Sequence, residues 1–185
     1  GILDDCSRLC CHAQWYLTED AERFIHGLSQ ALQKRGLPRA LLTDNGGAET
    51  AAEVTEGLAR LGIVHETTLP YSAYQNAKQE NWWSVVEGRL LAMLDGVEPL
   101  TLDTLNRATL AWVEGEYQRR VHHELGCAPI ERFRQGPDVA RACPDAQTLR
   151  RTFRARTTRV QRRSDGTCTV LGTRFEVPSQ FRHIQ

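Results

Sequence analysis

Two acidic residues occupy positions where a strand end and a helix start would hold their carboxylates rigidly. Asp44 follows the apolar run 39–43 and precedes a glycine turn, and Glu80 stands in the first turn of a long amphipathic helix. Carboxylates fixed in this way suit hard divalent cations, which prefer oxygen ligands. Taken singly, Asp44 also fits a simple turn, and Glu80 fits a helix N-terminus favoured by the macrodipole.

Hydrophobic periodicity predicts the elements that would position these carboxylates. Apolar alternation and helical spacing, broken by Gly and Pro, indicate strands and helices in turn along the first 95 residues. This alternation predicts an α/β layer fold. The predicted strands are 6–17, 39–43 and 63–69, and the predicted helices are 20–35, 51–61, one from about Lys78, and one over about 101–119.

The charge of the chain is unevenly distributed although the formal net charge is zero. Residues 150–185 carry nine arginines and two acidic residues, a net charge of +7, so residues 1–149 carry −7. A basic tail predicts a polyanionic partner, and Arg156, Arg159, Arg162 and Arg163 are the candidate phosphate contacts. A solvated basic linker is the alternative. Short strands with glycine turns over 159–163, 167–170 and 174–177 predict a small β domain.

Composition excludes some classes of protein. No apolar run approaches the roughly 20 residues of a membrane helix, and the acidic start is not a signal peptide. The six cysteines include no C-x-x-C pair, so we expect buried thiols in a reducing cytosol and no zinc ribbon. The predicted location is therefore cytoplasmic, with no membrane partner.

The stretches LLTDNGGAET and GIVHETTLPYSAYQNAKQE resemble the catalytic cores of retroviral integrases and bacterial insertion-sequence transposases. Those proteins share an Asp, Asp-35-Glu triad, and 35 residues lie between Asp44 and Glu80. The resemblance implies an RNase H-like fold, in which Asp44 is the second acid and Glu80 the third. It further implies Mg²⁺ or Mn²⁺ as cofactor, double-stranded DNA as substrate, and a homo-oligomer. A bacterial mobile element, acting at the nucleoid, is the expected source.

The resemblance places the first catalytic Asp on a strand before Ile2, so we expect this chain to be N-terminally truncated and to be inactive or nearly so. Asp4 or Asp5 is the alternative position for that acid. The chain also departs from the pattern, because Ala77 stands where the family usually has Gly, and Trp82-Trp83-Ser84 stands where it has a basic helix face. Contacts with DNA are implied for Tyr71, Asn76 and Lys78.

The same resemblance predicts two domains: an integrase core over 1–142, and the start of a basic β-barrel, like that of Mu-type transposases, over 150–185. Two other functions stay open on the sequence. One is an RNase H-like nuclease that cuts DNA without joining it. The other is a non-catalytic DNA-binding remnant of a transposable element.

Overall fold

The computed structural model describes residues 1–69, 77–154, 158–162, 164–170 and 172–181. The chain is divided into two compact units, Gly1–Arg154 and Ala155–Gln185. The elements of the first unit are β1 (Ile2–Leu3), β2 (Cys10–His12), α1 (Ala21–Arg35), β3 (Ala40–Thr43), α2 (Ala52–Arg60), β4 (Val64–Thr67), α3 (Ala77–Val85), α4 (Leu102–Gly115), α5 (Pro129–Gln135) and α6 (Ala146–Thr152). Those of the second are β5 (Thr167–Val170) and β6 (Thr173–Glu176).

The first two strands form a short antiparallel hairpin. Between them the chain turns sharply, with Arg8 at a φ of 61° and the Asp4 carboxylate accepting hydrogen bonds from the backbone N–H and hydroxyl of Ser7. Of the single strand predicted over 6–17, only Cys10–His12 is a strand, so the prediction is wrong for Ala13 to Leu17 and for Cys6 to Leu9. A left-handed residue and an Asx-type turn interrupt the extended backbone there, although the composition favours a strand.

Helix α1 begins where the sequence predicts. The Asp20 side chain accepts a hydrogen bond from the backbone N–H of Arg23, which satisfies one of the free donors of the first turn. The helix ends at Gly36, whose φ of 82° is available to glycine at little cost. Its buried residues pack against α2, and this first core contains Leu28, Leu32, Leu37, Val54, Leu58, Ile63, Leu149 and Phe153.

Strands β3 and β4 pair in parallel, from Ala40 opposite Val64 to Thr43 opposite Thr67. Helix α2 makes the crossover between them, as parallel strands require. This β3–α2–β4 unit, with α1 packed in the same core as α2, confirms the predicted mixed α/β class. The strand pairs form separate two-stranded sheets in the described residues.

Helix α6 belongs to the first unit. Leu149 is fully buried and Phe153 is 3% exposed, and both lie in the core formed by α1 and α2. Arg60 fastens the end of this segment, because its guanidinium donates to the carbonyls of Thr152 and Arg154 at 2.7 and 3.0 Å. The compact unit therefore runs to Arg154.

Close packing between α2 and Phe153 leads to a prediction about Gly57. A Cβ on Gly57 would lie 2.2 Å from Cδ1 of Phe153, so Gly57→Ala should destabilise the protein by about 1–3 kcal/mol. Helix propensity alone would give a gain of about 1 kcal/mol. Urea unfolding measures the free energy of unfolding of Gly57→Ala and of the parent protein. Gly115→Ala is the control, since nothing lies within 4 Å of its Cβ position. Equal effects of the two substitutions would contradict the packing argument.

A second core joins α3, α4 and the N-terminal hairpin. Its buried residues are Cys10, Trp82, Val86, Leu90, Trp112, Val113 and Tyr117. The long helix predicted from about Lys78 is present, and it continues beyond Val85 as a π-helical turn, Val86–Leu91. The Tyr117 hydroxyl donates to the carbonyl of Arg8 at 2.8 Å, which ties the end of α4 to the hairpin turn.

The second unit contains an antiparallel hairpin, with Thr167 opposite Glu176 and Val170 opposite Thr173. The strand predicted over 159–163 is wrong for 159–162, which form no strand, and Arg163 lies outside the described residues. The Arg162 backbone instead closes a turn, accepting from the N–H of Gly166 and donating to the carbonyl of Thr167. The described residues of this unit form no closed barrel.

All six cysteines are free thiols, but the expectation of buried ones holds only for Cys10, since Cys6 is exposed and the others are intermediate. Burial raises the pKa of Cys10 to about 12. None of the helices in the described parts of the chain combines the length and the apolar character needed to cross a membrane.

Candidate active site

Asp44 and Glu80 line the same cleft, which has a volume of about 760 Å³. Its walls come from β1, from the end of β2 and the segment that follows, from the start of α1, from β3, and from the first turn of α3. Strand β3 lines the cleft, whereas no residue of its partner β4 does. Two carboxylates from distant parts of the sequence therefore open into one space, at the carboxyl end of a parallel strand.

Asp44 is held by the turn that follows β3. Its Oδ1 accepts a hydrogen bond from the N–H of Gly46 at 2.9 Å. The Asn45 side chain donates to the carbonyl of Thr68 at 2.7 Å, which joins this turn to the end of β4. Thr43 donates to the carbonyl of Asp44, and its hydroxyl oxygen lies 2.9 Å from Nε2 of His65. Burial lowers the pKa of His65, which favours its neutral form.

Glu80 is positioned by contacts between α3 and the N-terminus of the chain. The Gln79 side chain donates to the carbonyl of Gly1 at 2.8 Å, and Lys78 forms an ion pair with Asp5. The buried Trp82 ring packs directly on Gly1, where a Cβ would come within 2.5 Å of it. These contacts fix the first turn of α3 against β1, so the exposed Glu80 carboxylate faces the cleft.

A third carboxylate, which the sequence did not single out, belongs to Glu49. A Cβ built on Gly46 would lie 2.3 Å from Oε2 of Glu49 and 3.0 Å from Oδ1 of Asp44, so both carboxylates crowd the space above that glycine. Glu49 also lines the cleft, and its Oε2 is buried with no hydrogen-bond partner in the described residues. Burial and, secondarily, the charge of Asp44 raise the pKa of Glu49. A local pattern could not reveal this, because only the folded turn brings the two residues together.

The raised pKa of Glu49 predicts how Glu49→Gln changes stability with pH. A carboxyl with a raised folded-state pKa binds protons more tightly when folded, so stability falls as pH rises through the unfolded and then the folded pKa. Glu49→Gln removes this loss. Its thermal midpoint should exceed that of the parent protein at about pH 7 and match it below about pH 4, where both side chains are neutral. Equal midpoints across the range would contradict the prediction.

The other predicted site residues lie in different surroundings. Asp4 and Asp5, the alternative positions for the first acid, are not among the residues lining the cleft. Lys78 is exposed and paired with Asp5 at 2.5 Å. Arg159 donates to the neighbouring carbonyl of Thr158, and Arg162 is exposed on its turn. The remaining four predicted DNA contacts, Tyr71, Asn76, Arg156 and Arg163, lie outside the described residues.

The donor set of the cleft is suited to Mg²⁺ or Mn²⁺, since it consists of carboxylate oxygens. Within the described residues, no three His, Cys, Asp or Glu side chains lie close enough to hold one metal ion together. In the same residues β1 pairs with β2 alone and β3 with β4 alone, and residues of both β1 and β3 line the cleft. Asp44 and Glu80 can each contribute carboxylate oxygens to a cation, but two side chains supply only a small part of its coordination shell.

Comparison with known proteins agrees with this geometry. The profile of the family described as integrase core domain matches residues 1–73. No curated protein matches the sequence. The family match covers β1 to β4, α1, α2 and Asp44, and it ends before Glu80.

Solved structures show the fold. A chain of the simian T-cell lymphotropic virus intasome is similar with a TM-score of 0.57, 21% identity and 71% of this chain covered. The HTLV-2 integrase catalytic core domain in complex with magnesium is similar with a TM-score of 0.56, 22% identity and 71% of this chain covered. The BIV integrase catalytic core is similar with a TM-score of 0.55, 23% identity and 69% of this chain covered. This chain covers 45% of the intasome chain and 80% and 82% of the two core domains. The protein therefore has the mixed α/β, RNase H-like fold of integrase catalytic cores, as predicted.

Proposed function

We propose that this chain provides part of the active site of a DNA transposase or integrase, which breaks and joins phosphodiester bonds with a divalent cation. The observation that carries the proposal is the opening of Asp44 and Glu80 into one cleft of an integrase-like fold. The matches below 25% identity support the fold, and the 35 residues between the two acids support the reaction class. Asp44 and Glu80 are the proposed catalytic and metal-binding residues.

The cation would be held by Asp44 and Glu80 and is Mg²⁺ or Mn²⁺ by the chemistry of the donors. When bound, such a cation neutralises charge on a reacting phosphate and lowers the pKa of a bound hydroxyl or water. The Gly46 N–H holds one oxygen of Asp44, and the anchored first turn of α3 sets the position of Glu80. With two of the three expected carboxylates in the cleft, we propose that the isolated chain reacts very slowly or not at all.

We propose that the core, predicted over 1–142, extends through α6 to Arg154, and that the basic barrel-like domain, predicted over 150–185, begins after it. The substrate is double-stranded DNA, and the active form is a homo-oligomer; the HTLV-2 core domain was solved in trimeric and dimeric forms. We further propose that the protein comes from a bacterial insertion sequence and acts at the nucleoid in the cytoplasm. Tyr71, Asn76, Lys78 and the arginines of the tail are its DNA contacts.

A strand-transfer assay with labelled duplex DNA in Mg²⁺ or Mn²⁺ separates the candidate functions. Joined products would identify a transposase or integrase, whereas nicks without joining would identify a nuclease. Binding without either reaction would fit a non-catalytic DNA-binding protein, which the lack of a three-ligand cluster among the described residues favours as the second candidate. Robust cutting that disappears in Asp4→Ala or Asp5→Ala would show that the first acid is in this chain.

Binding to DNA should weaken with salt because the arginine-rich segment releases counterions from phosphates. Arg159→Ala and Arg162→Ala should each reduce the slope of log K against log salt by about 0.9, the contribution of one phosphate. Arg174→Ala is the matched control, since Arg174 is already paired with Asp165. Fluorescence anisotropy over a salt series measures the slopes. An unchanged slope in both variants would remove these arginines from the interface.

A further inference from the structure

Two tryptophans form one wall of the cleft beside Glu80. Trp83 follows Glu80 by three residues in α3, so both side chains leave neighbouring positions on that helix. The rings of Trp15 and Trp83 meet edge to face, with their centroids 5.4 Å apart. Both indoles are half-buried and line the cleft, whereas Trp82 and Trp112 are buried and do not.

Trp15 is fixed in place by helix α4. Its backbone N–H donates to the side-chain oxygen of Asn106 at 2.7 Å, and its indole N–H donates to the Thr109 hydroxyl at 2.8 Å. The Asn106 amide returns a hydrogen bond to the Trp15 carbonyl at 3.1 Å. With its one side-chain donor already engaged, the Trp15 indole offers a ligand only its apolar ring. Trp83 also contacts the buried ring of Trp82, at a centroid distance of 4.8 Å, so it is packed against two other indoles.

The charges around this wall determine which part of a nucleic acid can approach it. Five acidic residues line the cleft, and the described lining contains one Arg or Lys, Arg23, which is itself paired with Asp20 and Glu22. Carboxylates repel a phosphate, but they do not repel an uncharged nucleobase. Stacking of bases on aromatic rings is tolerant of sequence, because every base has a π-face.

We infer that Trp83, supported by Trp15, stacks an unpaired nucleobase of the DNA end that is brought to Glu80. The inference rests on the proposed function and deepens it, because it names the substrate group that this wall binds. An aromatic contact would then replace, at this position of α3, the basic contacts that the resemblance leads one to expect. A purely structural role at the edge of the second core predicts instead that loss of Trp83 weakens folding and affects all DNA ends equally.

The test compares two duplexes that differ only at one end, where the unpaired terminal nucleotides either carry their bases or are abasic. Dissociation constants are measured by anisotropy, with Ca²⁺ present to screen the carboxylates. The parent chain should bind the base-bearing end about 5- to 150-fold more tightly, the equivalent of stacking one base. Trp83→Leu keeps an apolar side chain, although a smaller one, without the π-face and should remove this preference. Trp83→Phe, whose smaller ring stacks more weakly, should lower it in part, and Trp112→Phe, in the core and outside the cleft, should retain all of it.

The outcomes separate the inference from the proposed function. A parent chain that binds neither duplex would overturn both. Binding to both duplexes with equal affinity, or a preference that persists in Trp83→Leu, would overturn the stacking inference and leave DNA binding intact. A circular dichroism spectrum and unfolding midpoint for each variant show whether it is folded. If Trp83→Leu does not fold, the comparison of Trp83→Phe with the parent on the two duplexes still decides, because a weaker stacking ring must lower the preference.

Discussion

Asp44→Asn is expected to remove the stabilisation that Mg²⁺ or Mn²⁺ gives the folded chain. A cation that binds only the folded state at about ten times its Kd adds about 1.4 kcal/mol, and the added stability vanishes when binding is lost. The parent chain should therefore show a thermal midpoint that rises with cation concentration. Asp44→Asn and Glu80→Gln should each flatten this dependence, because each leaves one carboxylate of the proposed pair.

Thermal unfolding followed over a cation titration measures the effect, and Glu87→Gln is the matched control, an exposed carboxylate outside the cleft. Its response to cation should equal that of the parent. A cation response that survives in both Asp44→Asn and Glu80→Gln would separate the two residues from any metal site and end the proposal of a transposase active site here. Gly46→Ala should also weaken the response, because its Cβ would displace the carboxylates of Asp44 and Glu49.

A chain that ends at Ala142 is expected to lose cooperative folding, whereas one that ends at Arg154 should keep it. The shorter chain lacks Leu149 and Phe153, which are 0% and 3% exposed in the first core. Truncation of such residues to Ala costs about 2–5 and 3–5 kcal/mol, against a total stability of about 5–15 kcal/mol for a domain. Loss of both should therefore leave the core largely unfolded.

Urea unfolding followed by circular dichroism distinguishes the two chains. Leu149→Ala in the full chain serves as a graded control, with an expected loss of about 2–5 kcal/mol and an unchanged fold. If the chain ending at Ala142 unfolded as cooperatively as the full chain, α6 would be dispensable, and the compact unit would be smaller than its packing indicates. The result also decides which piece of the chain is suitable for cation and DNA measurements.

Glu49 adds a third carboxylate to the candidate site, beside Asp44. The sequence suggests a site of two carboxylates, but the turn after β3 brings a third one against Asp44, and its buried oxygen has no hydrogen-bond partner in the part of the chain that the structure describes. The expected gain in stability from Glu49→Gln measures the cost of keeping that charge in place. Such a cost is typical of functional sites, where like charges are held together for a ligand that neutralises them.

The sequence by itself determined the local secondary structure and the side chains that could take part in catalysis or metal binding. Helical spacing over 20–35 determined α1, and the position of Asp44 after an apolar strand was readable without a structure. The α/β class followed from the alternation of elements. These features depend on neighbours a few residues apart, so that periodicity and capping are enough to predict them.

Only the tertiary structure decided which distant residues meet. The turn at Arg8 overrode the strand propensity of the N-terminal segment, because a φ of 61° and the Asp4–Ser7 hydrogen bonds are not visible in composition. The packing of Phe153 on Gly57, and the meeting of Trp15 and Trp83 beside Glu80, join residues far apart in the chain. Such contacts arise from close packing of whole elements, which local patterns do not encode.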